Sequence, residues 1–190
     1  MKPKEIKDFN GKNIKIRKLS KDDLKNVKEF QKFINSLIKE NAKINLNKNL
    51  SFQEEQKFLE GQLRKIKEHK TVFLVAEDKK RIAGTSEISL GEGRQNHVGI
   101  FGITIRKGYR GIGLGTCLME NIIELAKKEL KPRPKIIRLS VFSINKPASA
   151  LYKKLGFLEI AKIPKVIQYG DGFIDEIIML KKYNYKTTRK

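Results

Sequence analysis

The chain has 190 residues, of which 39% are hydrophobic and 33% are charged. This length and composition predict one globular domain with a continuous core, and no stretch approaches the roughly 18 consecutive apolar residues that a membrane span requires. The lysine-rich start also lacks the apolar segment of a secretory signal. We therefore expect a soluble cytoplasmic protein that acts without a membrane.

The charge of the chain is strongly unbalanced, because 42 Lys and Arg residues face only 21 Asp and Glu residues and give a net charge of +21. Such a surface attracts polyanions through long-range steering and counterion release. The lysines are scattered among isoleucines and asparagines and form no arginine stripe. Binding of nucleic acid is therefore a secondary hypothesis, beside a purely solubilising role for the charge.

The sequence offers little to a metal ion or a disulfide. Cys117 is the only cysteine, and it is accompanied by two histidines, His69 and His97. One cysteine cannot form an internal disulfide, and these three residues provide no plausible set of zinc ligands. We therefore predict that the protein uses no metal.

The first elements along the chain are a strand and two helices. Residues 13–16 predict a short strand, and an amphipathic helix follows Ser20 because its apolar residues repeat every three or four positions. The asparagine-rich segment Asn41–Leu50 predicts a connector. Ser51 and Glu54 then form the capping box of a second helix.

After the second helix the period of the hydrophobic residues changes to two, which predicts strands. Two antiparallel strands at residues 72–77 and 82–90 precede a third strand at 97–105. The third strand contains two interior glycines, Gly99 and Gly102. Such glycines indicate a bulge or a close approach of another group to the backbone.

The second half of the chain alternates helices and strands. Apolar residues that repeat every four positions predict a long helix over 114–130, followed by a strand at 136–142 and a short helix at 148–155. Two last strands at 157–163 and 173–180 are joined by a hairpin. The order βααβββαβαββ predicts an α/β fold around one mixed sheet, with helices available for both faces.

Arg110, Gly113 and Gly115 form the pattern R-x-x-G-x-G between the strand at 97–105 and the long helix. The glycines leave several backbone N–H groups unobstructed at a helix N-terminus. The helix dipole and the arginine add positive potential there. The pattern therefore predicts a binding site for a diphosphate.

Two other phosphate-binding motifs do not fit this loop. A P-loop ends in Gly-Lys-Ser/Thr, whereas Gly115 is followed by Thr116 and Cys117. A dinucleotide fingerprint that starts at Gly111 requires a small residue where Thr116 stands, and an acidic residue at the end of the next strand, which ends without one. Both motifs are rejected.

The first of two blocks in the sequence is GITIRKGYRGIGLG, and the second is SINKPASALYKKLGF. The second resembles the signature N-x-x-A-x-x-L-Y-x-x-x-G-F of the GNAT superfamily of N-acetyltransferases. Its matching residues are Asn145, Ala148, Leu151, Tyr152, Gly156 and Phe157. The first block resembles the diphosphate-binding motif of the same family, and the two blocks occur in the same order as in that family.

This resemblance implies a fold and a cosubstrate. We expect a single GNAT-like domain of the α/β (α+β) class over residues 1–182, with a basic tail over 183–190. Its mixed, mostly antiparallel sheet would have about seven strands and about four flanking helices. The fourth and fifth strands, at 97–105 and 136–142, would splay apart so that the pantetheine arm of acetyl-CoA (coenzyme A) fits between them.

The resemblance also implies which residues bind the cosubstrate. The backbone at the end of the fourth strand would bind the pantetheine arm and polarise the thioester carbonyl, the glycine-rich loop would bind the diphosphate, and an asparagine would hold the arm. These residues are Ile103, Thr104 and Ile105 on the strand, Arg110, Gly111, Ile112, Gly113, Leu114, Gly115 and Thr116 in the loop, and Asn145 and Tyr152 further along the chain.

The catalytic residues are harder to assign. Tyr152 matches the family tyrosine that stabilises or protonates the leaving thiolate, with simple core packing as the alternative. The fourth strand contains no Asp or Glu, so the general base would be Glu87, His97 or Glu176, of which we rank Glu87 first. We expect Cys117 to be a packed side chain and not a nucleophile.

The acceptor is the least defined part of the reaction. The expected walls of its site are Asn41–Leu50 and Pro164–Phe173. The second segment and the last strand resemble the branch that acetylates ribosomal-protein N-termini and small amines. The residues that carry this resemblance are Tyr169, Gly170, Gly172, Asp175 and Met179.

We therefore predict an N-acetyltransferase that moves the acetyl group to a primary amine, either a protein N-terminus or a small amine. The amine would attack directly and form a tetrahedral intermediate. Two alternatives stay open on the same fold: a basic protein associated with nucleic acid or ribosomes, and a catalytically idle sensor of acyl-CoA. A homodimer also stays open.

Overall fold

The computed structural model describes residues 4–183. Within this range it contains eight strands and four α-helices. The strands are β1 (Lys4–Phe9), β2 (Lys12–Lys18), β3 (Thr71–Asp78), β4 (Arg81–Leu90), β5 (Val98–Ile105), β6 (Ile136–Phe142), β7 (Leu158–Tyr169) and β8 (Gly172–Lys182). The helices are α1 (Val27–Lys39), α2 (Phe52–Lys67), α3 (Leu114–Glu129) and α4 (Lys146–Lys154).

The strands form one sheet in the order β1-β2-β3-β4-β5-β6-β8-β7. The recorded pairings are antiparallel except that of β5 with β6, which is parallel. The predicted class, a mixed and mostly antiparallel sheet with four helices, is confirmed. The predicted domain limits stay a prediction, and the basic tail lies outside the described residues except for Tyr183.

The sheet has eight strands where the sequence predicts about seven, and the additional strand is β1. Asn10 and Gly11 adopt positive φ values of 52° and 78° in the turn between β1 and β2. Asn-Gly is the preferred sequence of such a two-residue hairpin turn. The lysine-rich composition of β1 hid a strand that pairs with β2 along its whole length.

The described residues fall into two compact units. The first comprises the chain up to Ser89 together with Gly102–Lys131, and the second comprises Leu90–Phe101 together with the chain from Pro132 onward. β5 contributes residues to both units.

The first unit has helices on both faces of its strands. Phe73 and Val75 of β3 join a core with α1 and α2. Because side chains alternate along a strand, Leu74 points to the other face, where α3 packs on β3. The buried residues of α3 are Leu114, Leu118, Met119, Ile122, Ile123, Leu125 and Ala126.

The second unit contains β6, β8 and β7, with α4 among its elements. β7 is longer than predicted and reaches Tyr169, with irregular pairing between Ile163 and Ile167. Pro164 lies in this irregular segment, and Lys165 has a φ of 52°. Proline is tolerated at such a bulge because it has no N–H group to pair. Much of the segment predicted as an acceptor wall, Pro164–Phe173, is therefore strand.

The parallel pairing of β5 with β6 is short. It joins Val98, Gly99 and Ile100 to Ile136, Ile137 and Arg138. The register of these two strands ends at Ile100 and Arg138. Among the described residues, no helix is both long enough and apolar enough to cross a membrane.

Candidate active site

The end of β5 presents alternating backbone groups. The N–H of Arg106, just after the strand, donates to the carbonyl of Ala83 on β4 at 2.9 Å. Because backbone polar groups alternate along a strand, those of Ile103 and Ile105 point away from β4, whereas those of Thr104 point toward it. The side chain of Thr104 is also engaged, with its Oγ1 at 2.8 Å from that of Thr85. This direction supports the predicted role of Ile103 and Ile105 in binding the cosubstrate.

The glycine-rich loop turns directly into α3. Gly111 and Gly113 have φ values of 77° and 88°, in the left-handed region that favours glycine. Gly113 is the N-cap and contributes no side chain, and its carbonyl accepts the N–H of Cys117 at 3.1 Å. The N–H groups of Leu114, Gly115 and Thr116 belong to the first turn, which has no partner within the helix. The loop therefore has the open helix N-terminus that a diphosphate requires.

Several contacts hold the loop in place. The hydroxyl of Tyr109 donates to Asp78 at 3.0 Å. The Nζ of Lys12 lies 4.4 Å from the centre of the Tyr109 ring and donates to the carbonyl of Gly108. The position of the loop is thus fixed by residues of β2 and β3.

Arg106 is a support of the loop that sequence reasoning did not identify. It is buried, and its Nε donates to the carbonyl of Ile82 at 2.7 Å. Its two terminal nitrogens reach Ser36 at 3.3 Å and Glu29 at 3.1 Å, both on α1. A charge this far buried is stable only when it is paired. An arginine between a strand and a glycine-rich loop gave no sign in the sequence that it points inward.

The side chain of Arg110 contacts two residues of the first compact unit. Its Nε donates to the carbonyl of Ile105 at 2.7 Å, and its guanidinium forms an ion pair with Glu40 at the end of α1. The Arg110 side chain is nevertheless 47% exposed. It therefore stands at the loop with its charge accessible to a ligand.

Glu87 is a partly buried residue of β4. It pairs across the strands with Phe73, and its carboxylate lies over Gly102 of β5. A Cβ atom built on Gly102 would be 3.4 Å from both Cγ and Oε1 of Glu87. Glu87 Oε2 is buried and has no hydrogen-bond partner in the described structure. Burial raises the pKa of Glu87, and the charge of Lys65 on α2 partly opposes this effect.

The second unit holds Asn145 and Tyr152 on α4. Asn145 is the N-cap, and the amide of its side chain makes no cap hydrogen bond. The ring of Tyr152 packs edge-on against Phe101, with centroids 6.1 Å apart, and it packs at a tilt against Phe157, with centroids 6.3 Å apart. Burial raises the pKa of the Tyr152 hydroxyl to about 12. The phenol therefore keeps its proton at neutral pH and can act as a hydrogen-bond donor.

The other candidate residues have less suitable surroundings. His97 lies just before β5, where its carbonyl accepts the N–H of Lys135 at 2.8 Å. Glu176 lies on β8 opposite Phe142 and is partly exposed. Cys117 is partly buried, and the side-chain amide of Asn121 lies 3.3 Å from its Sγ. Within residues 4–183 no cluster of His, Cys, Asp and Glu suits a metal ion.

The glycine-rich loop, α3 and α4 all lie within residues 37–157, the part of the chain that matches the model of the acetyltransferase (GNAT) family. The chain belongs to this family. The resemblance inferred from the sequence is thereby confirmed.

Individual relatives agree with the family. The L-amino acid N-acetyltransferase AaaT of Escherichia coli (strain K12) is 39% identical over 89 residues, which are 46% of this chain and 53% of the relative, so the match spans about half of that protein. An acetyltransferase of the GNAT family from Streptococcus pneumoniae has a solved structure that superimposes with a TM-score of 0.77 at 28% identity, covering 90% of this chain and 100% of that one.

A second solved structure with the same fold contains a ligand. It is yncA from Salmonella typhimurium with its cofactor acetyl-CoA, with a TM-score of 0.76 at 18% identity, covering 94% of this chain and 98% of that one. At this identity the likeness concerns the fold. Roles for individual residues of the present GNAT protein rest on its own geometry.

Proposed function

We propose that the protein transfers the acetyl group of acetyl-CoA to a primary amine. The observation that carries this proposal is the open N-terminus of α3, which follows β5 through a loop with two left-handed glycines, in a chain of the GNAT family. The cosubstrate brings a diphosphate, which suits these free N–H groups and the accessible charge of Arg110.

The remainder of the cosubstrate has its own candidate partners. The backbone groups of Ile103 and Ile105 that point away from β4 suit the amides of the pantetheine arm. The side-chain amide of Asn145, which makes no cap hydrogen bond, suits the same arm. A backbone N–H of β5 that also points at the thioester oxygen stabilises the negative charge that develops on it during attack.

The chemistry is a direct acyl transfer. The lone pair of the amine forms a C–N bond to the thioester carbon, and the C–S bond then breaks to release the thiolate of coenzyme A. Glu87 takes the proton that the amine loses, because its Oε2 is buried without a hydrogen-bond partner and its pKa is raised. Tyr152 is assigned to donate a hydrogen bond to the departing sulfur, and its pKa of about 12 keeps the donor in place at neutral pH.

The acceptor is proposed to be a small amine or a peptide N-terminus. The named activity of the Escherichia coli relative, acetylation of L-amino acids, supports an α-amino group. The fold offers no cluster of acidic side chains among the residues Asn41–Leu50 that would select a polyamine.

The proposal is tested by thiol release from acetyl-CoA in the presence of amino acids, peptides with different first residues, and polyamines. Calorimetry with coenzyme A measures cofactor binding separately. We expect heat of binding with coenzyme A and turnover with at least one α-amine. Binding without turnover against the whole panel would leave a sensor of acyl-CoA, and no binding would refute the function altogether.

A further inference from the structure

The strands of the second unit have one face that α4 does not cover. The Nζ of Lys181 on β8 donates to the carbonyl of Leu155, which directly follows α4, and Lys153 of α4 forms an ion pair with Glu159 of β7 at 3.6 Å. These contacts place α4 on the face that Lys181 and Glu159 share. Because side chains alternate along a strand, their neighbours in sequence point to the opposite face. Among the described residues of this unit, no α-helix lies on that opposite face.

This second surface, which we call the open face, is apolar and exposed. It consists of the even-numbered residues 138–142 of β6 and 176–180 of β8, together with their cross-strand partners on β7. Leu158 and Ile163 of β7 are 68% and 40% exposed there, and Leu180, the partner of Leu158, is only partly buried. Large apolar side chains that are exposed side by side mark a surface for interaction.

The free edge of β7 is unsuited to pairing with another strand. β7 is the last strand of the sheet, but its register with β8 is irregular at two places, residues 159–161 and 163–167. In the second of these, Pro164 has no N–H group to donate, and Lys165 has a φ of 52°. Bulges, prolines and lysines in an edge strand prevent edge-to-edge association. A protein partner therefore has the open face available to it, and not the edge.

The two charged residues of the open face lie at its opposite ends. Arg138 is beside Leu180 in the register of β6 with β8. Glu176 is beside Phe142, four residues further along the strands, which is a distance of about 13 Å. Neither Arg138 nor Glu176 has an ion-pair partner within residues 4–183. The open face thus has balanced charge on a chain whose net charge is +21.

The centre of the open face has one large side chain between two small ones. Ser140, Ile178 and Ala161 lie side by side across β6, β8 and β7. Ser140 and Ala161 are exposed, and Ile178 is partly buried. Small side chains on both sides of Ile178 allow another sheet to approach closely at this point, with Ile178 in the middle of the contact.

We propose that the open face binds a second copy of this chain and forms a dimer with twofold symmetry. The axis lies between the two sheets and crosses the strands near Ile178. This rotation reverses the direction of the strands, so Arg138 of each copy meets the end of the open face that holds Glu176 of the other. Two equivalent ion pairs then flank an apolar centre, as an isologous interface requires.

The distribution of charge favours a second copy over other occupants. Two chains that each have a net charge of +21 repel one another, and they can meet most easily where the charge of the surface is balanced. Arg138 and Glu176 provide that balance and are complementary to themselves after the rotation. A polyanion would require basic residues without an acidic one among them. The inference does not depend on the proposed function.

The test measures self-association by analytical ultracentrifugation in about 0.15 M salt, which screens the general repulsion. We expect the wild-type protein to dimerise with a Kd in the micromolar range or below. Arg138→Glu should raise this Kd at least about 100-fold, because it sets like charges opposite each other at two symmetric places. Glu176→Arg should have the same effect. The double variant Arg138→Glu/Glu176→Arg exchanges the two charges and should restore the Kd of wild type.

Arg94→Glu is the matched control. Arg94 is an exposed residue of the second unit in the short turn before β5, outside the strands of the open face. The substitution makes the same change in net charge as Arg138→Glu, and it should leave the Kd for self-association unchanged. Thermal unfolding checks that each variant is folded, and the double variant guards against a simple loss of stability.

Three results would overturn the inference. One is a wild-type protein that stays monomeric up to about 1 mM, a concentration at which even weak association is detected. Another is a dimer that Arg138→Glu leaves intact or that the double variant does not restore, because the interface would then lie elsewhere. The third is a monomer in which Arg138→Glu raises the KM for peptide acceptors, since this would assign the open face to the acceptor.

Discussion

Arg110 and Glu40 form an ion pair that joins the glycine-rich loop to the end of α1. Glu40 is the C-cap of that helix, and the connector at residues 41–50 follows directly. The carboxylate therefore occupies the same guanidinium that we assign to the diphosphate of acetyl-CoA. A ligand that uses Arg110 has to share it with Glu40 or displace Glu40 from it.

Replacement of Glu40 by glutamine should consequently tighten the binding of coenzyme A. A partly exposed ion pair is worth up to about 1 kcal/mol, so we expect the Kd to fall by about two- to fivefold. Calorimetry with coenzyme A and with pantetheine, which lacks the diphosphate, measures this effect. Glu129→Gln, which breaks the pair with Lys18 and makes the same change in charge, is the control. Equal effects on both ligands would contradict the assignment of Arg110.

Glu87→Gln should lower kcat by about 10²- to 10⁴-fold, since a positioned general base contributes that much. In wild type, kcat/KM should rise with pH through a limb that lies above the ordinary glutamate pKa of 4.5, because burial raises the pKa of Glu87 and the base works only when it is ionised. The variant should lose this limb. A pH profile of kcat/KM that keeps the limb in Glu87→Gln would point to another base, with His97 and Glu176 as the remaining candidates.

Lys65 gives a second measurement on the same carboxylate. Its charge lowers the pKa of Glu87, so Lys65→Met should move the acid limb of kcat/KM to higher pH. Lys67→Met, also exposed and on the same helix, controls for the loss of one charge. Should both variants move the limb equally, the general charge of the protein, and not Lys65, would set the pKa of Glu87.

The elements around the active site follow from the sequence because each has a local signal. Ser51 accepts the N–H of Glu54 and completes the predicted capping box. The pattern R-x-x-G-x-G predicts the glycine conformations of the loop, since only residues without a Cβ atom adopt such positive φ values without strain. β1 also had a local signal, the Asn-Gly turn, which its lysine-rich composition concealed.

Contacts between distant residues could not be predicted in the same way. Nothing near Glu87 in the chain shows that its side chain lies against Gly102, because the two residues meet only when β4 lies beside β5 in the sheet. The same holds for Arg106 and Glu29, which meet only when α1 packs on the strands. The sequence shows every titratable residue that could act as the general base. Only the packing of the folded chain decides which of them has a buried oxygen without a hydrogen-bond partner.

Tyr152→Phe should lower kcat by about 10- to 100-fold and leave the affinity for coenzyme A unchanged, because only the hydroxyl that assists the leaving thiolate is lost. The hydroxyl makes no hydrogen bond to the described residues, and the ring contacts with Phe101 and Phe157 are kept. The Tm should therefore stay close to that of wild type. Unchanged turnover would assign Tyr152 to core packing alone.

Gly113→Ala tests the loop through its backbone. An alanine at a φ of 88° is strained by about 1–2 kcal/mol, and relief of this strain would close the turn that exposes the first N–H groups of α3. We expect the Kd for coenzyme A to rise about tenfold or more. Gly11→Ala, at a φ of 78° in the hairpin between β1 and β2, carries similar strain but should leave the Kd unchanged. Comparable losses of affinity in both variants would show a general effect of stability.

Glu55 on α2 makes stability depend on pH. It is 4% exposed, and burial raises its pKa from 4.5 to about 7. Between these values the folded protein holds a proton that the unfolded chain has released, so the free energy of unfolding falls as the pH rises through this range and levels off above it.

Glu55→Gln should remove this loss of stability at higher pH. Its gain over wild type should be close to zero at about pH 4 and reach about 1–3 kcal/mol at about pH 8. Urea titrations at both pH values measure it, with the exposed Glu60→Gln as control, and a gain of equal size at both would show that Glu55 ionises normally.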